Sequence, residues 1–241
     1  MRSTAASVTN ASLAELRPEG DFLIVVQYAE TTQPQHFRSQ FLSRESVVLG
    51  YSLSATGPAA ISEREQVFSG EQIHTWMRRA IDRASHALAV GEAPIGCVIV
   101  DSAGRVRSEA HNTMYSSRNV TAHAEINALS SLAGQEGVDE GLTLVSTLEP
   151  CVMCTGAAML SGVNAIVYGL VAPADAGTTR VKPPASPGAT FPVISGGVMA
   201  QPVRRLFERW MQAHVGDASR NKQREFIEQL LALTASEAES S

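Results

Sequence analysis

Cysteine is scarce in this chain, three in 241 residues, too few and too odd in number to build the disulfide framework of a small secreted domain. Two of the three, Cys151 and Cys154, stand at C-x-x-C spacing, which turns the question toward metal binding or redox chemistry. An excess of positive charge is also missing. The formal net charge is -5 and the sequence pI about 5.7, so the chain has no general attraction to phosphate backbones or anionic membrane surfaces. No apolar run approaches the ~20 residues that span a bilayer, and the opening MRSTAASVTNASLAELRPEG lacks the apolar core of a secretory signal. Arg2 and the Ser/Thr/Ala content give that opening a trace of transit-peptide character, against which Glu15 and Glu19 stand. These absences predict a cytoplasmic protein with no membrane partner.

What is present suffices for one sizeable α/β domain with an appendage, given 44% hydrophobic residues over this length. Residues 1–69 carry no motif and read as an N-terminal extension, with Phe22 to Val26 as a strand and a Gln-rich patch from Gln33 to Gln40. After Ser69, the residues Ile73, Trp76, Met77, Ala80, Ile81, Ala84 and Leu88 recur at helical spacing and Gly91 follows as a stop. Gly96–Val100 and Val106–Ala110 flank Asp101-Ser-Ala-Gly104 as a hairpin. Helices are predicted over His123–Leu132 and Cys151–Leu160, with strands at Leu142–Thr147 and Ala165–Gly169. Strand, helix, strand makes a crossover unit of a layered sheet. Residues 171–199 read as surface loop, being rich in Pro, Gly, Ala and Thr. Helical stretches follow at Gln201–His214 and Arg220–Leu233, and residues 236–241 as a frayed tail.

Chemistry concentrates in His123-Ala-Glu125 and Pro150-Cys-Val-Met-Cys154, each opening a predicted helix. Cysteines at i and i+3 project from one side, and a helix N-terminus favours their thiolate forms. One imidazole and two thiolates suit tetrahedral zinc, and three protein ligands keep the fourth position for water, as a catalytic ion requires. Glu125, two residues from His123, is the candidate proton carrier. Each motif alone is ordinary: C-x-x-C also fits a redox pair, and H-x-E arises by chance. Cys97, inside an apolar strand, reads as a core thiol, and His36, His74, His86, His111 and His214 lack ligand partners at a telling spacing. Trp76 and Trp210 fall on apolar helix faces and read as core, and Arg180 and Lys182 as solvated loop charges.

These motifs resemble the H-x-E and P-C-x-x-C signature of the cytidine and deoxycytidylate deaminase superfamily. His74–Ala80, Ala93–Val100, Thr121–Ile126, Thr147–Cys154 and Gly197-Val-Met199 further resemble its branch of tRNA adenosine deaminases and guanine deaminases. The resemblance spans about residues 70–225. It implies a three-layer α/β/α cytidine-deaminase-like fold, with a five-stranded mixed sheet between helices and its first two strands antiparallel, in a domain assigned here to residues 70–235. It implies a homodimer with one Zn2+ per subunit on His123, Cys151 and Cys154, Glu125 as catalytic proton shuttle, and Asn112, Pro94, Ala124 and Leu148 against the substrate. Asn119-Val120 departs from the acidic residue and proline common in that branch. The expected reaction is hydrolytic removal of an exocyclic amine from a nucleobase, nucleoside or related amino-heterocycle. The alternatives are a tRNA adenosine-to-inosine deaminase or a non-catalytic zinc-stabilised partner subunit. A small-molecule substrate is favoured over tRNA because no long basic run is present, although Arg204, Arg205, Arg209, Arg220, Lys222 and Arg224 make the C-terminal helices locally basic.

Overall fold

The computed structural model describes residues 46–48, 67–135, 141–185 and 191–238; the expected strand Phe22–Val26 and the Gln33–Gln40 patch lie outside them. Two short strands, β1 (Ser46–Val48) and β2 (Val67–Ser69), pair antiparallel and lead into helix α1 (Gly70–Ala89). Ser69 caps α1: its hydroxyl accepts the Gln72 N–H, and the Gln72 side chain accepts the Ser69 N–H in return, a reciprocal arrangement that satisfies otherwise unpaired donors. The apolar stripe read from the sequence is the buried face of α1, with Ile73, Trp76, Met77, Ala80 and Ala84 inside.

The main sheet has the order β4-β3-β5-β6-β7. Strands β3 (Gly96–Val100) and β4 (Val106–His111) form the expected hairpin, and β3 also pairs antiparallel with β5 (Leu142–Leu148). Strand β5 runs parallel to β6 (Val163–Leu170), and β6 to β7 (Val193–Ser195). The sheet is thus five-stranded and mixed, with helices on both faces. Helices α2 (Ala124–Ser130) and α3 (Val152–Leu160) occupy one face, where Cys97, Ile99, Leu144 and Ile166 are buried beneath Ala124, Ala128 and Ala158. Helices α1, α4 (Ala200–Ala213) and α5 (Asn221–Ala238) cover the other, over Val98, Val100, Val145 and Val167. Successive residues of one strand therefore serve opposite layers, as period-two geometry requires. Between α1 and β3 the layers touch so closely that a Cβ at Gly96 would collide with the Ala80 carbonyl and the Ala84 nitrogen.

The expectation of loop throughout 171–199 is corrected at β7. Val193-Ile-Ser195 is only three residues long in a region of turn formers, and its strand conformation comes from pairing with Ala165, Ile166 and Val167 of β6 rather than from a local pattern. Trp76 and Trp210 are both core, at 5% and 0% exposure. No helix among the described residues is long and apolar enough to cross a membrane.

Candidate metal and catalytic site

Three side chains from two chain segments meet beyond the carboxyl end of β5. His123 is the N-cap residue of α2 and Cys151 that of α3, both in extended conformation; Cys154 lies one turn into α3. The His123 Nδ1 is 3.6 Å from each sulfur, and the two sulfurs are 3.5 Å apart. Bond lengths of about 2.3 Å to sulfur and about 2.0 Å to nitrogen around a tetrahedral zinc imply N···S and S···S separations of roughly 3.5–3.8 Å. The donor triangle therefore fits zinc in both atom type and spacing. It is the group of metal-ligand side chains found among the described residues; Cys97, fully buried with its thiol pushed up by burial, stays apart from it as core.

Glu125 sits inside the first turn of α2 at 3% exposure. Its Oε1 accepts the Ser146 hydroxyl at 2.7 Å, while Oε2 lies 3.5 Å from the Cys154 sulfur. Burial pushes the Glu125 carboxyl above its ordinary range, against the bond from Ser146. The hydrogen bond between the two sulfurs, assisted by the His123 ring, brings the Cys151 thiol down to about 4 although burial opposes it. Cys154 moves up, because of its hydrogen bond with Cys151, its burial and the Glu125 charge it faces. The cluster thus favours the thiolate at Cys151 over that at Cys154. His123 is raised chiefly by its bond to Cys151.

A loop after β6 secures the Cys151 backbone. The Val152 N–H donates to the Asp175 carbonyl at 3.1 Å, the Gly177 N–H to the Pro150 carbonyl at 2.9 Å, and Cys151 bridges to Ala176. Gly177 is required there, since a Cβ would strike the Cys151 carbonyl and the Thr155 hydroxyl. Glu149, buried at 3% exposure, anchors the same loop by accepting the Ala172 N–H at 3.0 Å and the Thr178 hydroxyl.

Asn112, Pro94, Ala124 and Leu148, the other positions singled out by sequence, are all buried. Ala124 and Leu148 flank the ligand segments in the chain. Asn112 donates its N–H to the Ile95 carbonyl at 3.0 Å, and Thr113 donates to Ala122, one residue before His123, at 3.0 Å; the Asn112 loop thereby adjoins the His123 segment. Asn119, where the branch commonly has an acidic residue, accepts both the N–H and the hydroxyl of Thr121, so it shapes the turn before His123. Sequence reasoning missed Ser146, Glu149 and Glu92. Ser146 left a trace, a hydroxyl in an otherwise largely apolar buried strand, two residues after Leu144. The two carboxylates left none, because their partners, backbone N–H groups together with the Asn112 amide and the Thr178 hydroxyl, lie 20 to 29 residues away in the chain.

Residues 70–170 match the family model described as the cytidine and deoxycytidylate deaminase zinc-binding region. That stretch of the chain is similar to this zinc-binding region. Among similar proteins, the tRNA-specific adenosine deaminase of Bacillus subtilis is 39% identical over 104 residues, 42% of this chain and 64% of that protein. The tRNA-specific adenosine deaminase 2 of Xenopus tropicalis is 35% identical over 107 residues, 41% of this chain and 62% of that protein. The tRNA(Ile)-lysidine synthase of Deinococcus deserti is 36% identical over 137 residues, 56% of this chain but 26% of that protein. The chain therefore spans about a quarter of the lysidine synthase and less than two thirds of the two adenosine deaminases. Among solved structures, one from a study of A-to-I editing by tRNA:A34 deaminases superposes with a TM-score of 0.47 at 28% identity, covering 55% of this chain and 98% of that one. The guanine deaminase from Nitrosomonas europaea gives 0.48 at 21% identity, covering 57% and 83%.

Proposed function

We propose that this deaminase domain removes an exocyclic amino group hydrolytically from a nucleobase, nucleoside or related amino-heterocycle, releasing ammonia. His123, Cys151 and Cys154 would hold one Zn2+, and residues 70–235 would be the working unit of a homodimer, with 1–69 as its extension. The observation that carries the reading is a buried, hydroxyl-oriented carboxylate, Glu125, set against a three-donor cluster whose spacing fits zinc. When bound, zinc supplies a Lewis acid that brings the acidity of water into the neutral range.

The chain's own groups do the rest. Burial raises Glu125 toward the pH at which a carboxyl group both takes and returns a proton. Ser146 fixes Oε1, leaving Oε2 on the ligand side to pass one proton of the attacking water to the ring nitrogen and then the second, from the hydroxyl newly bound to the ring carbon, to the departing amine, which leaves as ammonia as the carbonyl forms. Asn112, Pro94, Ala124 and Leu148 would line the ring. Presence of Glu125 favours a catalytic subunit over a non-catalytic zinc-stabilised partner.

The second reading, deamination of adenosine in tRNA, draws on the relatives named for that activity. The basic C-terminal helices support it less than their composition suggests. Arg204 is engaged by Glu208 and the Leu231 carbonyl, Arg224 by Glu228 and the His214 carbonyl, and Arg220 is buried; Arg205, Arg209 and Lys222 are exposed. The deciding experiment is ammonia release by the zinc-loaded chain from guanine, adenine, cytosine, their nucleosides, amino-triazines, pterins and an adenosine-containing anticodon stem-loop. Turnover of a free ring is expected. Activity on the stem-loop alone would replace the first reading with the second, and release from no member would defeat both.

A further inference from the structure

We propose that Glu92 and Arg220 are positioning residues that hold the Asn112 loop from two sides and leave Asn112 facing its ligand with a hydrogen-bond acceptor. Glu92 lies between α1 and β3 and is 1% exposed. Its Oε1 accepts the Ser116 N–H at 2.6 Å, and its Oε2 accepts the Tyr115 N–H and the Asn112 Nδ2, each at 3.1 Å. Backbone N–H groups can only donate, so both carboxylate oxygens act as acceptors, and the Asn112 atom that faces them is the amide nitrogen. The Asn112 Oδ1 then points away with no hydrogen-bond partner among the described residues, in a side chain only 2% exposed. A carbonyl so placed awaits a donor. A ring seated against it must present an N–H or O–H there.

Arg220 closes the loop from outside. It follows α4 in a short 3-10 turn, Ala218–Arg220, and is 6% exposed, although arginine is rarely buried without partners. Its guanidinium carbon lies 3.1 Å from the centroid of the Tyr115 ring, and its Nη1 donates to the Gln223 side chain at 2.9 Å. Tyr115 is itself 48% exposed, so the cation rather than an apolar core covers its face. The neighbouring backbone carries this restraint to the site: the Asn127 amide of α2 donates to the His111 carbonyl at 3.0 Å and the Thr113 hydroxyl at 3.1 Å. Arg220 thus ties the C-terminal helices, outside the matched residues 70–170, to the loop that carries Asn112.

The consequence for turnover rests on the deaminase reading, whereas the clamp itself does not, and the test separates them. Hydrogen exchange of the zinc-loaded full chain is measured for wild type, Glu92→Gln, Arg220→Ala, Tyr115→Ala and Tyr115→Phe, with zinc content and ammonia release on the panel above. Glu92→Gln sets an NH2 against N–H groups, and Arg220→Ala removes the cation; each is expected to speed exchange at Tyr115 and Ser116 about tenfold or more. Tyr115→Ala should behave like Arg220→Ala, while Tyr115→Phe retains the protection because it keeps the ring. Zinc content stays at the wild-type level, and KM for the amine turned over rises about tenfold with a smaller change in kcat. Unchanged exchange in Glu92→Gln and Arg220→Ala would overturn the clamp, as would loss of zinc from both. A wild-type chain that releases no ammonia defeats the deaminase reading and leaves the exchange result to decide the clamp.

Discussion

Helix α1 begins on Ser69, whose hydroxyl accepts the Gln72 N–H, whereas α2 and α3 begin on His123 and Cys151, neither of which makes a capping bond. A serine or asparagine at such a position stabilises a helix by about 1 kcal/mol. The two helices at the site forgo that contribution because the side chain that would hold the first-turn N–H groups is turned toward a shared point with Cys154 instead. The uncapped starts also leave the positive ends of α2 and α3 beside the thiolate and Glu125, which favours negative charge there. One end of the molecule is therefore arranged for folding and the other gives up local stability for chemistry, a pattern expected where function and stability compete.

Breaking the chemical side of this contrast should have the largest effect. Cys151→Ser supplies a good N-cap and removes a ligand, so we expect ammonia release to fall by about a thousandfold or more and stoichiometric zinc to be lost. The same substitution should leave the metal-free protein as stable as wild type, or up to about 1 kcal/mol more so, by urea denaturation. A metal-free protein much less stable than wild type would show that Cys151 is structural, and the contrast would fail. Next comes Glu125→Gln, which keeps the size and the Ser146 contact; we expect zinc content unchanged and kcat lower by about a hundredfold or more. Retention of full activity would remove Glu125 from the reaction.

The chemical side was also the more legible in the sequence. His123, Glu125, Cys151 and Cys154 sit in short motifs at helix starts, so residue type and spacing alone bring them together, and the stripe of α1 and the hairpin about Asp101-Ser-Ala-Gly104 were equally local. Everything missed is non-local. Val193-Ile-Ser195 becomes a strand only through β6, Ser146 meets Glu125 across 21 residues of chain, and Glu92 gathers donors from 20 to 24 residues away. Arg220 shows the opposite error, since composition placed it in a basic surface patch and packing buries it on Tyr115.

The folding side gives smaller and cleaner effects. Ser69→Ala removes the hydroxyl half of the reciprocal cap while the residue-69 N–H keeps its bond to Gln72, and should cost about 1 kcal/mol in urea denaturation, with zinc content and ammonia release unchanged. A drop in zinc content would mean that the α1 start and the site are not independent.

The smallest expected effect lies in the β3–β4 turn. Burial pushes the Asp101 carboxyl up, but the Arg105 N–H and guanidinium and the Ala103 N–H more than offset it and hold the carboxyl below its ordinary value. A folded value below the unfolded one, which is about 3.9, gives stability that is present above that unfolded value and lost as pH falls through the folded one. Arg105 is 73% exposed, so solvent screening discounts the ion pair and the backbone bonds carry most of the effect. Asp101→Asn should therefore cost no more than about 1 kcal/mol at pH 7. The gap between variant and wild type should narrow as the pH falls below about 4. A gap that stayed constant to low pH would trace the loss to turn geometry rather than to the carboxylate, and would leave the hairpin as tolerant of charge removal as the helix starts at the site are of a missing cap.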